Sequence, residues 1–164
     1  QGSQQAWFVT GGAPGGRVFR SDDGGRTWVA YDVPAVAPQA ATSGLFAIAF
    51  RDSENGVAVG GDYTRPADGG RGALVTPNGG VTWFGVGVEA ARGFWSGLSH
   101  VPGARGQRFV AVGGPGTILT RDMGEGWSRV DSVAYNGVSF AAPNAGWAVG
   151  DSGRIARWKR AVPK

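Results

Sequence analysis

The sequence has no cysteine, a single histidine, a single methionine and no long apolar run. Without cysteine there are no disulfides, no thiolate zinc sites and no cysteine nucleophile, and the redox compartment is left open. The apolar runs fall far short of the ~18 residues that a membrane helix needs, so the chain does not read as an integral membrane protein. No signal peptide precedes Gln1. The chain opens inside a strand-like pattern, however, so a targeting segment is compatible with this start.

Runs of like charge are missing too. The net charge of +4 comes from 14 arginines and 2 lysines against 12 acids, and the arginines are scattered singly. A nucleic-acid surface asks for a basic stripe with interleaved aromatics, so that partner class is set aside. No segment has a helical period, because glycine or proline interrupts nearly every window long enough to hold one.

What is present in excess is glycine, at 31 residues. It alternates with short runs of valine, phenylalanine, tryptophan and isoleucine, a pattern of many tight turns between short strands. An octet recurs as SDDGGRTW at 21–28, TPNGGVTW at 76–83 and TRDMGEGW at 120–127. A small apolar strand ending in glycine recurs as Phe8 to Gly11, Val57 to Gly60, Val110 to Gly113 and Trp147 to Gly150. Each is followed by a second strand, centred near Phe19, Leu74, Ile118 and Ile155. A third element precedes it, at 45–50, 95–100 and 135–140, with alternate positions apolar as a strand requires.

One unit is therefore strand, turn, strand, turn, strand, octet, and an outer strand starting at the tryptophan. A period on the order of 50 residues with four strands per unit is the pattern of propeller blades. The predicted fold is an all-β propeller segment with four-stranded antiparallel blades at about 1–39, 40–90, 91–132 and 133–164. The first unit lacks its opening strand and the last lacks the octet and outer strand, so two full blades are flanked by two partial ones. This points to the C-terminal half of a larger ring, closed by a second chain or by the missing half, with a closed four-bladed ring as the alternative.

The octet itself has a mechanical reading. Asp23, Asn78 or Asp122 accepts from the backbone N–H groups of its own loop. The hydroxyl of Ser21, Thr76 or Thr120 bonds across that loop, while Gly25, Gly80 or Gly124 permits positive φ. Trp28, Trp83 or Trp127 anchors the hairpin by burial while its N–H finds an acceptor. Asn78 replaces aspartate with Thr82 and Trp83 retained, so the turn requires an acceptor and not a charge. Asp22 has Pro77 and Arg121 as counterparts and reads as incidental.

On these residues, with Ser21, Asp23, Gly25, Thr27 and Trp28 matching in full, the octet resembles the Asp box of the bacterial neuraminidase repeat. Together with GWAVG at 146–150 and GRIAR at 153–157, the chain is similar to photosystem II assembly and stability factor-like propellers and to sialidase-like secreted propellers. The resemblance implies that the boxes sit at blade edges away from the active face, and that the protein works outside the cytoplasm. It specifies fold more than function.

The enzyme that this resemblance implies is a sialidase-type glycosidase, with an arginine clamp, a tyrosine nucleophile activated by a glutamate, and an aspartate acid/base. An Arg-Ile-Pro motif is absent, the glutamates are Glu54, Glu89 and Glu125, and Tyr31, Tyr63 and Tyr135 have no evident glutamate partner in sequence. His100 registers with Phe50 and Phe140 at a strand end, so it reads as a packing residue. Gly113 to Gly116 reads as a hairpin and not as a phosphate loop, since neither helix nor lysine follows. No catalytic residue, metal ligand or cofactor is assigned.

Function is sought instead where the repeat breaks. The segment 60–72 is a long insertion carrying Tyr63, Arg65 and Arg71. Leu45, Trp95 and Tyr135, with Arg92 just ahead of Trp95, head the first strands and are expected at one mouth of the central channel. Arg154, Arg157, Lys159 and Arg160 form a third, basic group. The reading is a non-catalytic scaffold that binds an acidic protein or glycan partner through Tyr63, Arg65, Arg71, Arg92, Trp95 and Tyr135.

Overall fold

The computed structural model describes residues 4–13, 15–68, 70–103 and 106–159; Arg160 of the basic group lies outside them. Four antiparallel sheets follow one another along the chain. The first holds β1 (Ala6–Val9), β2 (Arg17–Ser21) and β3 (Val29–Asp32). The second holds β4 (Ser43–Phe50), β5 (Gly56–Asp62), β6 (Ala73–Thr76) and β7 (Phe84–Gly85). The third holds β8 (Trp95–His100), β9 (Phe109–Gly113), β10 (Gly116–Thr120) and β11 (Ser128–Asp131). The fourth holds β12 (Gly137–Ala142), β13 (Ala145–Gly150) and β14 (Arg154–Arg157).

Each sheet is a meander of neighbouring strands, the arrangement that short glycine-rich connections allow. The inner strands pack in sequence, β12 on β8 and β8 on β4, while β1 packs on β4. By register β1 matches β5 and β9, so the first sheet starts at the second position of a blade. The chain is thus a propeller segment of two full blades between two partial ones. Outer strands begin one residue past each octet tryptophan.

Pairing corrects one alignment. The glycine-based register set Phe8 beside Val57, Val110 and Trp147. Ser21 pairs with Ala6 as Thr76 pairs with Gly56, so Trp7 is the true equivalent of Val57 and Phe8 that of Ala58. In the same way Ala156, not Ile155, matches Leu74 and Ile118. A one-residue slip moves every side chain to the opposite face, so these corrections decide which blade each residue meets.

With that register the core explains itself. Trp7, Val9 and Val18 face the second blade, where Ala58, Leu74 and Trp83 meet them. Val57, Val59 and Ala73 face the third, where Ala111, Ile118 and Trp127 meet them. Val110, Val112 and Leu119 face the fourth. Among the described residues the end faces meet no further sheet: Phe8 stacks on Phe19 and meets Trp28 edge-on on the first blade, and Trp147, Val149 and Ile155 are exposed on the last. The four blades therefore do not close into a ring on their own.

Candidate functional site

The octets are the most chemical-looking part of the sequence, and all three are closed turns. In the first, Asp23 Oδ1 accepts the N–H groups of Arg26 and Thr27, both at 2.9 Å, and Oδ2 takes the Thr27 hydroxyl at 2.7 Å. Ser21 Oγ accepts the Gly25 N–H at 2.8 Å, and the Trp28 indole donates to the Gly25 carbonyl at 3.1 Å. The second repeats this with Asn78 Oδ1 accepting the Thr82 N–H, and its amide nitrogen donating to the Thr82 hydroxyl. In the third, Asp122 Oδ1 accepts the Gly126 N–H and Thr120 Oγ1 accepts the Gly124 N–H, both at 2.9 Å.

These bonds settle the carboxylates electrostatically. Thr27, through its hydroxyl and then its N–H, and Ser21 hold the Asp23 carboxyl down at about 2. Partial burial opposes ionisation of Asp122 but is outweighed by the Thr120 hydroxyl and the Gly126 N–H, so it too is lowered. Asp22, read as incidental, pairs with Arg20 at 2.7 Å, and that arginine reaches the Gly79 carbonyl of the second octet. Asp22 therefore orients a contact between blades. His100 packs on Phe109 and its Nε2 donates to the Gly106 carbonyl at 2.9 Å, a structural placement.

The departures from the repeat converge where the inner strands begin. Leu45 pairs with Gly60 and Ala47 with Val59, so Phe46 is an extra residue bulging from β4. Ser96 does the same in β8. A bulge re-aims its side chain. Phe46 accordingly leaves the core and meets Phe94 edge-to-face at 4.9 Å. Tyr63, 52% exposed, contacts both rings at 6.3 Å. Three rings in mutual edge contact make an apolar platform, each pair stabilised by ~0.5–1.5 kcal/mol beyond burial.

The 60–72 insertion holds this platform. Asp62 Oδ1 accepts the Thr64 N–H at 2.9 Å and hydroxyl at 2.7 Å, bonds that lower its pKa. Turns follow from Arg65 N–H to the Asp62 carbonyl and from Asp68 N–H to the Arg65 carbonyl. The insertion is then stitched to both neighbouring linkers: Tyr63 N–H donates to Thr42, Arg71 N–H to Val36, and Phe94 N–H to Pro66. Gly61 (φ 131°) passes so close to Gly93 that an added Cβ would lie 2.5 Å from its carbonyl oxygen. The insertion is a built element of the blade junction and not a free hairpin.

The six residues singled out in sequence divide into three groups. Tyr63 joins the platform, and Arg65 forms an exposed ion pair with Asp68 at 2.6 Å beside it. Arg71 and Arg92 line one depression of about 520 Å³ with Pro38, Val86 and Val88, a lining without a carboxylate. Arg92 also reaches Glu89 at 3.5 Å on the surface. Trp95 and Tyr135 correct the expectation of rings at a channel mouth: both are buried between blades, as is Leu45. The Trp95 indole donates to Ala91 at 2.8 Å, and Tyr135 packs in the cluster with Val112 and Phe140. Sequence reasoning missed Phe46 and Phe94. Phe94 was within reach as the residue before a strand-heading tryptophan, whereas the bulge that exposes Phe46 has no sequence signal.

Perturbed carboxyls among the described residues all move downward, Asp22 through Arg20 and Gln5, and Asp52 through Asn55, Glu54 and Arg51 against the effect of burial. The described residues hold no group of three or more histidine, aspartate or glutamate side chains arranged for a metal.

No protein-family model and no curated protein matches the sequence. Among solved structures, the fold is similar to YCF48 bound to D1 peptide, at 19% identity and a TM-score of 0.54 over 70% of this chain and 36% of that one. YCF48 from Cyanidioschyzon merolae matches at 19% identity and 0.52, over 98% and 50%. The GH74 enzyme of Niastella koreensis matches at 16% identity and 0.61, over 93% and 26%. The chain spans half or less of the length of each. These likenesses carry the propeller fold, shared by a peptide-bound protein and by a glycoside hydrolase.

Proposed function

We propose that this chain is part of a non-catalytic propeller scaffold that binds a protein or glycan partner of acidic character, in the manner of assembly and stability factors. The observation that carries the proposal is the platform of exposed Phe46 and Tyr63 on half-buried Phe94, braced by an insertion hydrogen-bonded on both sides. Exposed rings held rigidly lose little entropy on binding and suit a partner's apolar or sugar face. Arg65, Arg71 and Arg92 add positive charge at the same blade junction and favour an acidic partner. The peptide-bound YCF48 structure supports the reading as an instance of such binding on a similar fold. The octets, read as Asp boxes, act as turn clamps on the edges of the blades. The ring is completed by further blades or a second chain, and the protein works outside the cytoplasm.

The second reading is a sialidase-type glycosidase whose catalytic residues lie largely in a missing N-terminal half, which the GH74 likeness keeps open at the level of fold. A glycosidase needs one carboxyl held protonated as general acid, which requires a raised pKa. The perturbed carboxyls among the described residues are lowered and engaged in turns, so they are set up as turn acceptors and not as that acid.

The test is affinity capture from a native extract with the full-length protein and with a Tyr63→Ala, Arg92→Glu variant. Both side chains are exposed, and a urea midpoint near that of wild type checks that the variant folds. Loss of a captured partner is the expected result. Unchanged capture removes this junction as the site, and turnover of a fluorogenic sialoside by the full-length protein overturns the non-catalytic reading.

A further inference from the structure

We infer that Met123 is an oxidation site: a peroxide converts its thioether to a sulfoxide, and the Arg51 guanidinium receives the new oxygen. The site lies between the second and third blades, where the inner strands end, and stands independently of the function proposed for the platform at their beginning.

The turn itself does not ask for methionine. The counterparts of Met123 in the first two octets are Gly24 and Gly79, at φ 73° and 72°, and Met123 adopts the same left-handed backbone at φ 66°. All three donate the backbone N–H to the loop ahead of their own blade's second strand, at the Gln4, Glu54 and Gln107 carbonyls. That conformation strains a side chain and leaves glycine unstrained. Methionine therefore adds nothing to the turn that glycine lacks, and its place is explained by the side chain alone.

What the side chain does follows from the blade in front of it. Gly79 has Arg20 so close that a Cβ would lie 2.6 Å from the guanidinium, and Trp7 donates to its carbonyl at 2.8 Å. By register the second blade has Val75 in the place of Arg20 and Val57 in the place of Trp7. These smaller residues leave room. Met123 fills it, half-buried against the core cluster that the second and third blades share.

The cation that Val75 removes returns from another loop. Arg51 follows β4 directly, and its Nη1 donates to Met123 Sδ at 3.5 Å. Its Nε and Nη2 hold Asp52 Oδ2 at 2.6 and 2.5 Å, while Asp52 Oδ1 accepts the N–H groups of Glu54 and Asn55. Two of the three guanidinium nitrogens are thus anchored and the third is aimed at the sulfur.

A thioether is a weak acceptor for such a donor. A sulfoxide oxygen on the same sulfur concentrates negative charge and takes a charge-assisted bond. Oxidation of a packed methionine ordinarily disrupts the core around it, because an apolar side chain becomes polar. Here the polar product meets a fixed cation. The Arg51 side chain is 29% exposed and Met123 half-buried, so a molecule as small as hydrogen peroxide reaches the contact.

In the reaction the sulfur attacks one peroxide oxygen, and the S–O bond forms as the O–O bond breaks. Sulfur loses two electrons to the peroxide, and the departing hydroxide takes the proton of the transferred hydroxyl and leaves as water. A thiol-dependent methionine sulfoxide reductase reverses the change.

The test exposes the full-length folded protein to hydrogen peroxide, locates the added oxygen by mass spectrometry and compares urea midpoints before and after. Met123 is expected to take up one oxygen in the folded state with the wild-type midpoint kept. In Arg51→Gln the same oxidation is expected to lower the midpoint, the folding constant falling about tenfold more than in wild type. Comparing oxidised with reduced protein in each background removes the variant's own effect on folding. Arg51→Lys, whose ammonium lacks the planar fork that Asp52 anchors, gives the comparison by a second route with a smaller fall. Reductase with a dithiol is expected to restore each starting midpoint. Three results overturn the inference: oxygen uptake at Met123 only after unfolding in urea, an equal loss on oxidation with and without Arg51, or a peroxide-induced shift that persists in Met123→Leu.

Discussion

Trp28 and Trp127 hold the same place in two copies of one turn. Each donates its indole N–H to the glycine carbonyl three residues back, at 3.1 and 2.9 Å. Yet Trp28 is 39% exposed and Trp127 only 8%. The turn closes from its own residues; burial of its tryptophan is supplied by the blade in front. Trp127 has the second blade before it, while Trp28 meets Phe8 of its own sheet edge-on and no preceding blade among the described residues. Closure is a local property and burial a property of the repeat.

That separation is broken most forcefully at the tryptophans. Trp127→Ala opens a cavity in the shared core and is expected to cost about 3–5 kcal/mol, while Trp28→Ala is expected to cost about 1 kcal/mol. Urea midpoints of the two variants give the comparison. A loss at Trp28 as large as that at Trp127 shows that the first blade's outer face is covered in solution.

The glycines sharpen it next. Gly25 and Gly124 both hold positive φ, 88° and 98°, so alanine is strained at either. A Cβ on Gly25 finds only the Trp28 ring at 3.5 Å, whereas one on Gly124 meets a Val75 methyl of the preceding blade at 2.8 Å. Gly25→Ala is expected to cost about 1 kcal/mol and Gly124→Ala about 2 kcal/mol. Equal midpoint shifts in a urea titration break the claim that the third turn is pressed against its neighbour.

At the octet hydroxyls the difference between copies should vanish. Ser21 and Thr120 are both buried, and each accepts two N–H groups of its own turn. Ser21→Ala and Thr120→Val each leave those donors without their acceptor and are expected to cost about 1–2 kcal/mol alike. A markedly smaller loss at Ser21 makes the first turn dependent on its missing neighbour after all.

The same division between local and repeat-level physics explains what the sequence showed. The octets, the strand count per blade and the partial end blades were legible because glycine, hydroxyl and aspartate requirements act over a few residues and recur. The register of β1 was not, since aligning on Gly11 hid that the strand ends at Val9 and turned Phe8 toward the wrong blade. The candidate site was legible in part. The 60–72 insertion and Tyr63 stood out as breaks in the pattern, but Trp95 and Tyr135 could not be told from core residues, because a strand-heading aromatic reads alike whether it faces a channel or a neighbouring blade. Phe46 escaped because its exposure depends on a bulge set by the pairing of Leu45 and Ala47.

The smallest effect expected is also the most selective, because it changes charge while keeping the turn. Asp23 and Asn78 do the same work, but only Asp23 titrates, with a folded pKa of about 2 against an ordinary 3.8. A lowered carboxyl contributes stability that is fully present above its unfolded value and lost as pH falls through the folded one. Between about pH 4 and pH 2, wild type should therefore lose stability that Asp23→Asn does not lose. Asn78→Asp should acquire the same acid sensitivity in the second turn, where the Thr82 N–H and the Thr76 hydroxyl already point at the side-chain oxygen. The lowered carboxyls of Asp22, Asp52, Asp62 and Asp122 add their own acid dependence, so the quantity to read is the difference between each variant and wild type in urea midpoint across that range. An Asp23→Asn profile parallel to wild type would mean that Thr27 and Ser21 hold that oxygen no more tightly in the folded turn than water does in the unfolded chain.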